Sequence, residues 1–156
     1  MALGYETDLR AMGEFSASEL YAMLKMRVDV FVVEQKCPYP ELDGRDPDAL
    51  HLRLLSGDAL LASARIFKPL HPGDAVSIGR VVVSPAYRGE RLGEKLMKEA
   101  IAACERLFPG SPIALSAQSH LQRFYQSLGF SPVSEQYLED AIPHIDMQLT
   151  APARAA

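Results

Sequence analysis

The 156-residue chain carries 16 Lys and Arg against 20 Asp and Glu, a formal net charge of −4, with 48% apolar and 23% charged residues. That length and composition suit one globular domain with its own core, the acidic balance gives no footprint for nucleic acid, and no apolar stretch approaches the roughly 20 residues that span a bilayer. Met1 to Arg10 include Glu6 and Asp8 and lack a basic start followed by an apolar core, so no secretory leader is expected and a cytoplasmic location is.

A short opening segment reads as a strand. Ser16-Ala17-Ser18-Glu19 then has capping-box spacing, in which the Ser hydroxyl and the Glu carboxylate reciprocally satisfy orphan N–H groups. Leu20, Met23, Leu24, Arg27, Val28 and Phe31 recur at helical spacing and predict a helix to about Glu34, which Pro38 and Pro40 must end. Gln35 to Pro47, rich in turn formers and dotted with polar groups, predicts a long shaped loop; Cys37 within it and Cys104 lack C-x-x-C spacing and are expected as reduced thiols. Leu50 to Leu55 and Ala59 to Phe67 read as strands joined by a hairpin turn at Ser56-Gly57-Asp58, and a further strand covers 76 to 83. Leu92, Leu96, Met97, Ala100, Ile101 and Cys104 form one face of a helix that Pro109-Gly110 stops. Ile113 to Ser116 reads as a strand, and Ser119 to Leu128 as a helix with Leu121, Phe124 and Leu128 inward and Gly129 at its cap. Phe130 to Val133 and His144 to Leu149 complete the sheet. The expected fold is α/β, a twisted mixed sheet of about six or seven strands, antiparallel at its start, flanked by about four helices. It is expected as one domain over 1–150 with a frayed tail at 151–156. An edge strand with apolar side chains could pair subunits, so a homodimer is expected.

The most informative segment runs from 76 to 130. The apolar run Ile78-Gly79-Arg80-Val81-Val82-Val83 leads through Ser84-Pro85-Ala86-Tyr87 into Arg88-Gly89-Glu90-Arg91-Leu92-Gly93, which opens an amphipathic helix. A helix start exposes unpaired N–H groups and partial positive charge, so a glycine-containing loop before it can grip a pyrophosphate. That order, followed by Phe124-Tyr125 and Leu128-Gly129-Phe130, resembles the GNAT N-acetyltransferase superfamily over most of the chain. The loop from Glu34 to Gly44 and the ending Leu138-Glu139-Asp140-Ala141-Ile142-Pro143-His144 resemble its ElaA-like branch. The superfamily pattern is Arg or Gln, two residues, Gly, one residue, then Gly or Ala. Arg88 and Gly93 match its ends, whereas Arg91 replaces the first Gly and is expected at an ordinary φ with its side chain outward.

The resemblance implies acetyl-CoA as cofactor, its pantetheine arm lying between two splayed parallel strands. It puts main-chain groups of Val81, Val82 and Val83 on the pantetheine, Arg88, Gly89, Glu90, Arg91, Leu92 and Gly93 on the pyrophosphate, and Gln118 near the cofactor. Acetyl transfer to an amine needs a neutral lone pair, a stabilised oxyanion and a proton for the departing thiolate. Tyr125, spaced to Gly129-Phe130 as the family's tyrosine is, is the expected acid. The strand before the phosphate loop offers no carboxylate, only Ser77 and Arg80, so the base must come from Glu34, Glu41, Asp43, His51 or His144, directly or through water. Histidine changes charge near neutral pH, which favours His144. Glu34, Tyr39, Glu41 and Asp43, with Asp46 beside them, would suit a cationic acceptor, and Glu139 and Asp140 are expected to help shape the same wall. No metal is called for. Two other readings stay open: an acyl-CoA-binding regulatory module without turnover, and a P-loop or dinucleotide protein, the latter opposed by the missing Gly-Lys-Ser/Thr after Gly93.

Overall fold

The capping box at Ser16 forms as its spacing dictates. In a computed structural model that describes residues 4–150, the Ser16 hydroxyl accepts from the Glu19 N–H at 3.1 Å and the Ser16 N–H donates to the Glu19 carboxylate at 2.8 Å. Helix α1, Ala17–Val28, starts there. It continues as a π-helix over Asp29–Glu34, ending near the expected residue but with a wider turn, its last bonds running from the Gln35 and Cys37 N–H groups to the carbonyls of Val30 and Val32. π-Turns of this kind concentrate at functional sites.

The strands are β1 (Glu6–Ala11), β2 (Leu50–Ser56), β3 (Ala59–Phe67), β4 (Val76–Val83), β5 (Ile113–Gln118), β6 (Ser131–Pro132), β7 (Tyr137–Glu139) and β8 (Ile142–Leu149). The other helices are α2 (Leu92–Leu107) and α3 (Gln122–Ser127), the latter preceded by a 3-10 turn over Ser119–Leu121. One mixed sheet results, in the order β1-β2-β3-β4-β5-β8-β6, with β7 also on β8. Among the described residues eight strands stand where about six or seven are expected, and three α-helices where about four are; the strand not expected is the short β7, while β6 falls within the expected Phe130 to Val133. The expected tail at 151–156 lies outside the described residues. No helix among them is long and apolar enough to cross a membrane.

All pairings are antiparallel except β4 with β5. Those two are in register only at Val76 with Ile113 and Ser77 with Ala114. Beyond Ser77 they part, so the facing N–H and C=O groups of Ile78 to Val83 have no ladder partner on that side. On its other edge β4 carries a bulge: Ser63 faces Val82 but Arg65 faces Gly79, three steps on β4 against two on β3. The extra residue lets Arg80 sit at φ 50, in the left-handed region that a non-glycine residue seldom adopts.

The core lies between the sheet and α2. Leu92, Leu96, Met97, Ala100 and Cys104 of α2 are at most 2% exposed and pack on Leu52, Leu54, Ala62, Ile66 and Ile78. Both cysteines are buried free thiols. On α3 the inward residue is Tyr125 at 7% exposure, with Phe124 and Leu128 partly buried, whereas Leu121 is 36% exposed. The 3-10 turn explains that departure, because three residues per turn instead of 3.6 rotate Leu121 off the buried face. Gly129 ends α3 at φ 101, where an added Cβ would lie 3.0 Å from the Leu149 Cδ1. A side chain there is strained in both backbone and packing, so Gly129→Ala is expected to lower stability by about 1–2 kcal/mol in urea denaturation.

Candidate active site

The gap between β4 and β5 opens into a cleft of about 830 Å³. Val81, Val82 and Val83 line it from β4, Ser116 and Gln118 from β5, His144 and Asp146 from β8, Tyr125 from α3, and Tyr39 and Arg45 from the loop after α1. That volume is within the range of pockets that take drug-sized ligands. Val82 buries its side chain, 3% exposed, against Met26 and Val30, so its contribution to the cleft is main-chain.

At one end of the cleft the chain passes through the 3-10 turn Pro85–Tyr87 and enters α2. No side chain among the described residues caps the start of this 16-residue helix, so its first N–H groups remain available. Gly89 has φ 94. Arg91 has φ 56 and ψ 31, which corrects the expectation of an ordinary φ: it holds a left-handed conformation that glycine would take without strain, at a cost of roughly 1 kcal/mol, with its side chain exposed as expected. Leu92 is 2% exposed and belongs to the core, leaving its N–H as the group it can offer.

Arg88 does not project freely. Its Nη1 and Nη2 donate to the Glu34 carboxylate at 2.9 and 2.6 Å, a two-pronged pair that holds Glu34 below and Arg88 above their usual values. Gln118 likewise meets Gln35, Nε2 to Oε1 at 3.3 Å. The π-helical end of α1 is thereby tied to the phosphate loop and to the end of β5. Glu34 and Arg88, expected on acceptor and cofactor respectively, meet each other.

Glu41 and Asp43 do not line the cleft. Glu41, 3% exposed, accepts from Arg27 Nε at 2.7 Å and Arg80 Nε at 2.9 Å, and from the Tyr39 hydroxyl. Asp46, 4% exposed, accepts from Arg27 at 2.7 Å and Arg65 at 3.2 Å, and Asp43 accepts from Arg65 at 2.9 Å and Arg80 at 3.5 Å. Three carboxylates and three guanidiniums thus neutralise one another beneath the loop. Their charge fastens the loop to α1, β3 and β4 instead of facing an acceptor. Burial alone would raise the Asp43 and Asp46 carboxyls, but bonds to Arg65 and Arg27 respectively outweigh it and hold both below the usual range. Unfolded Asp titrates near about 3.9, so below that the unfolded chain takes up protons first and stability falls as pH drops through the folded values. Urea midpoints are expected to hold steady from about pH 6 to 8 and to fall steadily below about pH 4.

Tyr125 sits between Phe124 and Phe130, edge-on to both at 5.0 and 6.0 Å between ring centres. Burial pushes its hydroxyl up to about 12. His144, also in the cleft, donates from Nδ1 to the Ile142 carbonyl at 2.7 Å, and its Nε2 lies 3.5 Å from the Glu139 carboxylate. His51 is elsewhere: 1% exposed, bonded through Nε2 to the Asp46 carbonyl and lowered by burial, it lines no part of the cleft. Sequence reasoning missed Asp146, Ser116 and Tyr137. The Tyr137 hydroxyl donates to Asp146 Oδ1 at 2.5 Å and lies 2.5 Å from the Ser116 hydroxyl. A period-two run of polar residues, His144, Asp146 and Gln148, opposite Gln118, Ser116 and Ala114, is the signal that could have found them.

Comparison with known proteins agrees with this geometry. The profile of the acetyltransferase (GNAT) domain family matches residues 25–151. The chain is 51% identical over 136 residues to protein ElaA of Escherichia coli strain K12, covering 86% of this chain and 89% of that protein. Its fold is similar to the crystal structure of Escherichia coli ElaA and to that of an acyl-CoA N-acyltransferase from Pseudomonas aeruginosa. Each gives a TM-score of 0.86 at 47% identity, over 93% of this chain and 99% of the other. Sequence profile, relative and fold agree that the chain belongs to the GNAT N-acetyltransferase superfamily, in its ElaA-like branch.

Proposed function

We propose that the protein is an N-acetyltransferase that moves an acetyl group from acetyl-CoA to a primary amine of a small molecule or peptide, by direct transfer in a ternary complex. The observation that carries this reading is the parting of β4 from β5 beside the uncapped start of α2, with Tyr125 and His144 in the same cleft. Unladdered main-chain groups of Val81, Val82 and Val83 suit the amides of a pantetheine arm. The N–H groups from Gly89 to Gly93 suit a pyrophosphate, with Arg88, Glu90, Arg91 and Gln118 around them. When bound, acetyl-CoA supplies the activated acyl group.

In this reading the amine proton passes to His144 Nε2, where Glu139 stands ready to pair with the imidazolium. The neutral nitrogen attacks the thioester carbonyl, the C–S bond breaks as Tyr125 gives its proton to the departing sulfur, and the second proton lost by the nitrogen as the amide forms returns Tyr125 to its neutral form. Tyr39 shapes the acceptor wall, while Glu34, Glu41 and Asp43 act through the arginines they hold. A cytoplasmic location and a homodimer belong to the same reading, and sedimentation equilibrium tests the latter.

Calorimetric titration with acetyl-CoA and with free CoA, followed by CoA release with a panel of amines, tests the proposal. Binding of both with turnover of at least one amine is expected. Binding without turnover of any amine or peptide would favour the alternative, an acyl-CoA-binding regulatory module, for which the lack of a carboxylate on β4 speaks. Absence of binding at millimolar levels would sink both.

A further inference from the structure

The geometry points to an acceptor that carries a carboxylate as well as an amine, a small amino acid or short amino carboxylate bound crosswise in the cleft. The chemistry rests on the acetyl-transfer reading above; the recognition does not.

The walls of the cleft differ in sign. On the β3 side stand Arg45 and Arg65, with their guanidinium carbons 4.2 and 4.9 Å from the centre of the Phe67 ring. Arg65 is 4% exposed and its Nε has no hydrogen-bond partner. Arg27, Arg65 and Arg80 are balanced by Glu41, Asp43 and Asp46, whereas Arg45 forms no ion pair among the described residues. Its charge is therefore unspent, and it is anchored over an aromatic ring at the cleft edge. The opposite wall, on β8 and its hairpin, carries Asp146, Glu139 and Asp140. Asp146 is held by the Tyr137 hydroxyl and has lone pairs left for an ammonium.

The register lines these walls up. Arg65 faces Gly79 across β3 and β4, and Ser116 faces Asp146 across β5 and β8. Extending the β4 and β5 register by two residues from Ser77 and Ala114 brings Gly79 level with Ser116. Arg65, Gly79, Ser116 and Asp146 thus lie along one row that is broken where β4 and β5 part, so the end Cα atoms stand further apart than the roughly 14 Å of three paired steps. Arg45, held over Phe67 two residues beyond Arg65 on β3, and Asp146 across the gap leave room between them for a molecule whose opposite charges lie a few bonds apart. Gly79 is the open floor between them: its φ lies outside the left-handed region, so its backbone does not require glycine, and an added Cβ would meet nothing within 4 Å. A strand glycine with no conformational need marks a place where a ligand comes close.

The test pairs each amino acid with its decarboxylated amine: phenylalanine with phenethylamine, leucine with isoamylamine, lysine with cadaverine. Binding to the CoA-loaded protein is read by calorimetry, and acetylation by CoA release. The amino acids are expected to bind about tenfold to a hundredfold tighter than their amines, the worth of one charge-assisted contact. Arg45→Ala is expected to erase that preference, and Gly79→Leu to weaken amino-acid binding by at least as much while acetyl-CoA still binds. Amines binding as tightly as amino acids, or an intact preference in Arg45→Ala, would overturn the proposal and leave acetyl transfer standing. Amino acids that bind but are never acetylated would leave the recognition standing and overturn the transfer. No binding by any pair would overturn the recognition outright.

Discussion

Replacing Tyr125 by Phe is expected to lower kcat by about 10²- to 10⁴-fold with the Kd for acetyl-CoA unchanged, because it removes one proton donor and little else. The ring is a core element, edge-on to Phe124 and Phe130, and Phe keeps that packing. What disappears is a hydroxyl that burial pushes up to about 12 and that no other side chain among the described residues holds. Such a phenol stays protonated across the whole working range, so the activity profile should show no loss from Tyr125 ionisation between pH 7 and about pH 10. Turnover should fall on the acid side instead, as the acceptor amine becomes protonated and loses its lone pair. A wild-type rate retained by Tyr125→Phe at saturating substrate and optimum pH would take the acid role from Tyr125. A drop matched by an equal loss of acetyl-CoA affinity would make the residue a binding or packing element.

The parts of this architecture that follow from local rules were readable in the chain. The Ser16–Glu19 box, the apolar face of α2, the Gly57 hairpin and the Gly129 cap each depend on residues within a few positions of one another. Tyr125, singled out because its spacing to Gly129 and Phe130 resembles the family's tyrosine, lines the cleft. What escaped depends on partners far apart or on conformations that the sequence disguises. The β7 to β8 hairpin turns on Asp140 at φ 48 and Ala141 at φ 63, two left-handed residues where a turn of that kind ordinarily shows Asn-Gly. The Arg80 bulge and the Arg91 helix start are likewise glycine conformations occupied by arginine. The acidic loop was legible as charge but not as pairing, since Glu41 and Asp46 meet an arginine 14 and 19 residues earlier, within the apolar stripe of α1. An arginine on a helix face that is otherwise buried is the clue that a carboxylate must be waiting for it.

That arginine carries the largest stability effect expected anywhere in the chain. Arg27 is 1% exposed and pairs with two carboxylates that are themselves 3% and 4% exposed. Arg27→Ala leaves Glu41 and Asp46 each short of a cation in a place water does not reach, and is expected to cost about 3–5 kcal/mol in urea denaturation. Arg80→Ala should cost clearly less, because its side chain is 25% exposed and Glu41 keeps Arg27 and Tyr39. Arg80→Gly should cost less again by about 1 kcal/mol, since glycine accepts the φ of 50 without strain. Removing charge from both sides, as in Arg27→Met with Glu41→Gln, should recover part of what Arg27→Met alone loses. The loop that these pairs fasten supplies Tyr39 and Arg45 to the cleft, so the same variants should raise KM for the acceptor more than KM for acetyl-CoA. Equal losses for Arg27→Ala and Arg80→Ala would mean that the buried carboxylates find other partners or take up protons, and that the loop is held by its apolar contacts instead.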